Sequence, residues 1–231
     1  DKDPRYTVRL TRDDDRFIEL EDRLNGRRFV VPNATVQLSR DAEGIRADGA
    51  ITVGAGEQAI HLGLSGAYRA DSRRTDLGIV FSEIAPSAFV PFAPDLEFLA
   101  RLDTRLDGTL TVAIDPDFAA MVASLDLRAA GGTVDAGPRY EAPIAFDSAA
   151  LRLNAQQADE TISLESLDLV LGETTITVSG DGARSEGAWD TSWTVALRDL
   201  PINDLAAYWP QGVEPNTREW VTENIRDGHV G

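Results

Sequence analysis

Apolar and polar residues alternate with a period of two along most of the chain. Tyr6, Val8 and Leu10 are separated by polar neighbours, as are Val36 and Leu38, and Ile51 and Val53. The spacing recurs in Ile60, Leu62 and Leu64, in Leu77, Ile79 and Phe81, and in Leu110, Val112 and Ile114. It continues in Leu151, Leu153 and Ala155, in Ile162 and Leu164, in Leu167, Leu169 and Leu171, and in Ile176 and Val178. Successive side chains of a strand point to opposite faces, so each run predicts a strand with one apolar and one polar face. Turn-forming segments separate the runs: Asp13–Asp15, Asn25-Gly26, Ala42–Gly44, Gly54–Gly56, Asp115–Asp117, Gly131-Gly132, Gly172-Glu173 and Gly180–Gly182. Such short gaps between alternating runs are hairpin signals. The pattern predicts an all-β, mainly antiparallel meander with a few short helices.

One segment fits two patterns. Phe118, Met121, Val122 and Leu125 have helical spacing, whereas Met121, Leu125, Leu127 and Ala129 continue an alternation. The strand is preferred, because it pairs with Leu110–Ile114 across a short turn. Near the C-terminus, Asn203 or Asp204 can cap a short helix through Leu205 and Tyr208 that Pro210 stops. Asn216 can cap a second, with Glu219 completing a capping box and Gly228 as terminator.

An internal echo accompanies these elements. Residues 81–94 align without gaps on residues 197–210. Apolar positions coincide at 81/197, 84/200, 89/205 and 92/208, an acid at 83/199 and proline at 94/210. Upstream, Leu64-Ser65-Gly66 mirrors Val178-Ser179-Gly180. The echo points to a repeated β unit punctuated by a helical connection, the kind of repeat that builds elongated objects.

Composition narrows the chemistry. The 22 basic and 39 acidic residues give 22 − 39 = −17, which argues against a nucleic-acid surface and against docking on anionic headgroups by charge. Without cysteine there is no disulfide, thiolate ligand or thiol nucleophile, and two histidines, His61 and His229, are few for a metal centre. Lys2 is the sole lysine. Ile51–Ala59, with Gly54, Gly56 and a later Asp76, imitates a dinucleotide fingerprint, but the residues after it alternate as a strand and offer no helix N-terminus to a pyrophosphate. Asp13–Asp15 and Asp115–Asp117 lack the spaced ligands of a calcium loop. Gly63–Gly66 lacks the setting of a nucleophile elbow. These features predict no enzyme, no cofactor and no metal.

The apolar faces admit two readings. A second sheet can seal them into a closed-core β-sandwich, a structural or protein-binding domain. Otherwise a curled sheet leaves them as an open groove for a non-protein ligand. Their Leu, Ile, Val and Ala content, with only 7% aromatics overall, leans toward the groove.

The C-terminal stretch resembles the AsmA-like superfamily, specifically its YhdP-type branch. The resemblance rests on Tyr208-Trp209-Pro210, then Pro215-x-x-Arg218-x-Trp220-Val221-x-x-Asn224-Ile225, then Gly228. It covers about residues 100–231 well, and residues 1–100 only as generic β repeats. It implies a β repeat segment over 1–100, a second over 101–210, and a helical connection over 211–231 leading into a following repeat. It also implies an elongated, curled sheet forming an open hydrophobic groove. Proteins of this family are periplasmic, tethered to the inner membrane, and are thought to carry phospholipid between inner and outer membranes. The implied partners are phospholipid or another acyl lipid and adjacent repeats of the same protein, with no nucleic acid and with the anchor outside this stretch. On that expectation the groove is lined by Leu110, Val112, Ile114, Leu151, Leu153, Ile162, Leu164, Leu167, Leu169, Leu171, Ile176 and Val178. The motif residues are expected to be structural, with Trp209 and Trp220 packing the helical connection over the groove's end or edge.

Overall fold

A computed structural model describes residues 5–8, 18–22, 27–31, 33–55, 58–90, 94–116, 120–140, 142–185, 187–225 and 228–230. In chain order the strands are β1 (Arg5–Val8), β2 (Ile18–Asp22), β3 (Arg27–Val31), β4 (Asn33–Arg40), β5 (Gly44–Ala55), β6 (Gln58–Arg69), β7 (Thr75–Ile84) and β8 (Leu102–Ile114). They continue as β9 (Met121–Val134), β10 (Ile144–Phe146), β11 (Ser148–Gln156), β12 (Thr161–Leu171), β13 (Thr174–Ser185), β14 (Ala188–Arg198), β15 (Leu200–Pro201) and β16 (His229–Val230). The helices are α1 (Leu205–Tyr208) and α2 (Pro215–Asn224), with 3₁₀ turns at Pro86–Phe89, Pro94–Arg101 and Ile202–Asp204.

The architecture is mainly antiparallel β. Hydrogen bonds join 11 strands in one path, β1-β4-β5-β6-β7-β8-β9-β11-β12-β13-β14, with β10 paired beside β9. Among the described residues the path ends at β1 and β14, so the sheet is open. The other described sheets are the pairs β2–β3 and β15–β16. Contacts divide the chain into two compact units interleaved in sequence. The first comprises Asp1–Ile84, Asp107–Asp126 and Asn154–Ile162, and the second Ala85–Leu106, Leu127–Leu153 and Ser163–Gly231.

Among the described residues, most expected turns are where the sequence places them. Ala55 pairs with Gln58, so the imitation of a dinucleotide loop is a hairpin. At the β4–β5 turn the Asp41 carboxylate accepts from the amides of Glu43 and Gly44 at 2.9 and 3.0 Å. The ambiguous segment is strand from Met121 onward, and Asp115 N donates to Ala120 O at 2.9 Å to close the β8–β9 turn. Leu10, Asp13–Asp15, Asn25-Gly26, Gly56, Asp117 and Phe118 lie outside the described residues.

Two expected turns are strand interior. Gly131-Gly132 lie within β9 and Gly180–Gly182 within β13. Of these glycines, Gly132 and Gly180 serve close cross-strand approach. A Cβ at Gly132 would come 2.5 Å from the Asp103 carbonyl oxygen, and one at Gly180 would come 2.5 Å from Cε3 of Trp193.

The helix caps also differ from expectation. Asp204 precedes α1 but makes no side-chain cap. For α2 the N-cap is Glu214, in the left-handed region (φ 43°), and Asn216 lies inside the helix. Pro215 occupies the first helical position, where its fixed φ and missing N–H fit best, and this moves the start ahead of the apparent capping box. Ile225, extended at φ −109°, ends α2, so Gly228 is not its terminator.

The internal echo has a conformational counterpart. Glu83 and Asp199, its aligned acids, both adopt left-handed backbone, at φ 59° and 56°. Each is followed by a buried aliphatic residue, Ile84 or Leu200, and then by an extended residue leading into a 3₁₀ turn, Ala85 or Pro201.

Candidate functional site

The first unit presents an apolar face whose membership follows from register. Ala34, Ile51, Leu62 and Phe81 form one row across β4–β7. Val36, Gly49, Leu64 and Ile79 form the next, and Leu38, Ala47, Gly66 and Leu77 the third. The middle strands contribute Gly49, Ala47 and Gly66, so the face is shallow at its centre. Burial is graded along the strands. Val53, Ile60 and Phe81 are buried, Ile60 being 3% exposed, whereas Ile45, Tyr68 and Leu77 at the other end are exposed, Leu77 at 42%. Leu77 and the expected lining residue Val112 border one cavity of about 580 Å³ with Val122, but Arg46, Asp48, Arg74 and Asp76 of the polar face line it too.

The opposite face of β4–β7 is polar. His61 pairs with Thr52 across β5–β6, with Nδ1 and Oγ1 3.0 Å apart. Arg69 and Arg74 engage Asp76 at 2.8 and 3.2 Å, so this acid is held by its own sheet.

The second unit repeats the gradation. Ile176 pairs with Leu197, Val178 with Val195 and Gly180 with Trp193, which places these residues on one face of β13–β14. Asp168 accepts from the Thr177 hydroxyl at 3.0 Å on the other face, leaving the alternate positions Leu167 and Leu169 to the apolar side. At one end Leu169 and Ile176 pack, with Tyr208 of α1, against the buried cluster Ala129, Phe146 and Leu171. At the other end Trp193 is 56% exposed and Val195 65%. From Ala188 to Val195 the free edge strand is exposed on both faces.

The structure divides the expected lining between the units. Leu110, Val112, Ile114 and Ile162 belong to the first, and Leu151, Leu153, Leu164, Leu167, Leu169, Leu171, Ile176 and Val178 to the second. Leu164 and Leu171 are buried, Ile162 is exposed and the rest are half-buried. Trp189, Trp193 and Val195 on β14, and Ile45 and Tyr68 on β5–β6, are face residues that periodicity had not singled out. For β14 the signal is the odd-numbered alternation Trp189, Thr191, Trp193, Val195, Leu197.

The motif residues are mostly structural in their contacts. Trp209 Nε1 donates to Val213 O at 2.8 Å, and Asn224 Nδ2 to Trp220 O at 2.9 Å. Gly228 O accepts from Ile202 N at 3.0 Å, beside the β15–β16 pair. Trp220 departs from expectation. It is 60% exposed on α2, so Tyr208, and not Trp220, supplies the aromatic cover of the apolar cluster.

Burial raises the Tyr208 pKa above its ordinary value, reinforced by the carboxylates of Asp204 and Asp147, so the phenol stays protonated at neutral pH. Among the described residues, no three His, Asp or Glu side chains cluster to hold a metal ion. No described helix is long and apolar enough to cross a membrane. No family model matches the chain, and neither does any curated protein or solved structure.

Proposed function

We propose that this chain shields lipid acyl chains on its apolar faces, as a periplasmic segment of an AsmA-like, YhdP-type phospholipid carrier tethered to the inner membrane. The observation that carries the reading is the gradation on each face, from buried Ile60 or Leu171 at one end to exposed Leu77 or Val195 at the other. An open apolar surface of that kind needs an apolar occupant or a reason to stay uncovered. Each methylene taken from water contributes about 0.8 kcal/mol, so an acyl chain gains from contact wherever it lies along the face. That attraction is non-directional and repeats along the strands, which favours sliding over fixed binding. The motif residues Tyr208 to Gly228 support the family assignment, and the acidic exterior keeps an exposed apolar surface in solution.

The rival is a closed-core sandwich. Against it stand the two-stranded size of the other described sheets and the exposure of β14 on both faces. The test is native mass spectrometry of detergent-free protein with lipid extraction, repeated on Val195→Arg. Leu169→Arg is the poorer probe, because Leu169 packs into the cluster beneath Tyr208. Co-purifying phospholipid that is lost in Val195→Arg, with the fold retained, supports the carrier. A lipid-free mass with no uptake from liposomes supports the sealed domain.

A further inference from the structure

The last strand of the long sheet has a neighbour on one side alone. Among the described residues β13 pairs with β14, and no strand lies along its outer edge. The short β16 pairs with Leu200 and Pro201, past the end of β14. β14 keeps one unbroken register with β13, from Thr175 opposite Arg198 to Ser185 opposite Ala188, so no bulge twists its outer edge away. Its 11 residues include no proline and no lysine, the residues that commonly blunt a free edge. They carry two charges of opposite sign, Asp190 and Arg198. Both side chains are exposed, and among the described residues neither has an ion-pair partner. Asp181, diagonal to Asp190 across the ladder, adds to the negative side, and Asp199 lies beyond the strand at the left-handed bend.

We infer that two copies of this chain pair antiparallel along β14, about a two-fold axis at Thr194. That axis sets Asp190 of each copy opposite Arg198 of the other, which gives two ion pairs from one self-complementary strand. The same register sets Trp193 against Val195, twice, an aromatic–β-branched pair of the kind that stabilises antiparallel ladders. A slip of two residues takes both charges off their partners, and a slip of one turns the apolar face of the second copy to the other side. With odd-numbered residues meeting odd-numbered residues, the apolar face of β13–β14 runs on into that of the second copy. Each copy carries a net charge of −17, but physiological salt screens that repulsion beyond about 8 Å, and the opposed Asp190 and Arg198 lie closer than this. The pairing stands whether or not the face holds lipid.

Sedimentation velocity of the whole chain over a concentration series, at physiological ionic strength, is expected to show a monomer–dimer equilibrium. Asp190→Arg and Arg198→Asp each set like charges opposite one another twice, and each should weaken the dimer at least about tenfold. Circular dichroism checks that both variants keep their strands. Symmetry makes a sharper demand: an equimolar mixture of the two variants opposes unlike charges at both positions, so it should dimerise as the parent does although each variant alone is weakened. A parent chain that stays monomeric at millimolar concentration overturns the inference and leaves the edge to a strand of different sequence. A dimer that both variants retain puts the interface elsewhere and overturns it too, as does a mixture no more associated than its components.

Discussion

Trp193 occupies the space that a side chain at Gly180 would need. The two residues are partners in the β13–β14 ladder, and a Cβ built on Gly180 would lie 2.5 Å from Cε3 of the indole and closer still to the Ser192 carbonyl oxygen. The ring therefore covers the glycine across the strands, a pairing that lends an exposed edge strand side-chain contact.

Gly180→Ala is expected to destabilise the chain by about 1–3 kcal/mol, since the methyl meets backbone as well as ring. Trp193→Ala should recover part of that loss in the double variant but not all, because the Ser192 carbonyl stays in place. Urea denaturation of the four members of the cycle measures the coupling. Additive losses would mean that the ring does not press on Gly180.

The left-handed backbones of Glu83 and Asp199 predict a second, opposite pattern. Non-glycine residues pay about 1–2 kcal/mol there, and glycine does not. Glu83→Gly and Asp199→Gly should each be neutral to stabilising by up to about 1 kcal/mol, and the β-branched Glu83→Val and Asp199→Val should each destabilise. Equal behaviour at both positions is what a repeated strand-to-helix unit requires. A loss with glycine would place the origin of these conformations in the acidic side chains instead.

How much was legible in the sequence depends on how local each signal is. The faces of β5, β6 and β7 follow from alternation alone, because Ile60, Leu62 and Leu64 recur at every second position. β14 escaped notice because Thr191 interrupts Trp189 and Trp193, which dilutes the apolar stripe. Gly180–Gly182 looks like a turn when taken locally; the reason for Gly180, the backbone and indole of β14, comes later in the chain and across a ladder. Asn216 and Glu219 spell a capping box, yet the fixed φ of Pro215 sets the start of α2. The Glu83/Asp199 echo was visible because it rests on aligned residues, and the shared backbone geometry agrees with it.

Tyr208 makes stability depend on alkaline pH. Its folded pKa is raised, by burial first and by Asp204 and Asp147 next, so the fold disfavours the phenolate. The unfolded chain then loses this proton first, and its contribution is complete below the unfolded value of about 10 and is lost as pH rises through the folded pKa. Tyr208→Phe should therefore flatten the stability profile above about pH 10 relative to the parent, while changing it little near pH 7. Parallel profiles for the two proteins would show that the phenol ionises freely.

The two ends of the second unit's face should respond unequally to truncation. Leu171 is buried against Ala129 and Phe146, so Leu171→Ala removes packed methyl groups and is expected to cost about 2–5 kcal/mol. Val195 is 65% exposed on the edge strand, and Val195→Ala should change stability by less than about 0.5 kcal/mol. Its effect should appear in uptake of an acyl probe, as faster release without a change in fold. This combination separates an open face from a sealed one. If Val195→Ala costs as much as a core truncation, another surface covers β14 in solution, and the face is a closed core at both ends. If it costs nothing and also leaves acyl uptake unchanged, the ligand surface lies away from β14, and the lining must be sought toward Leu151 and Leu153.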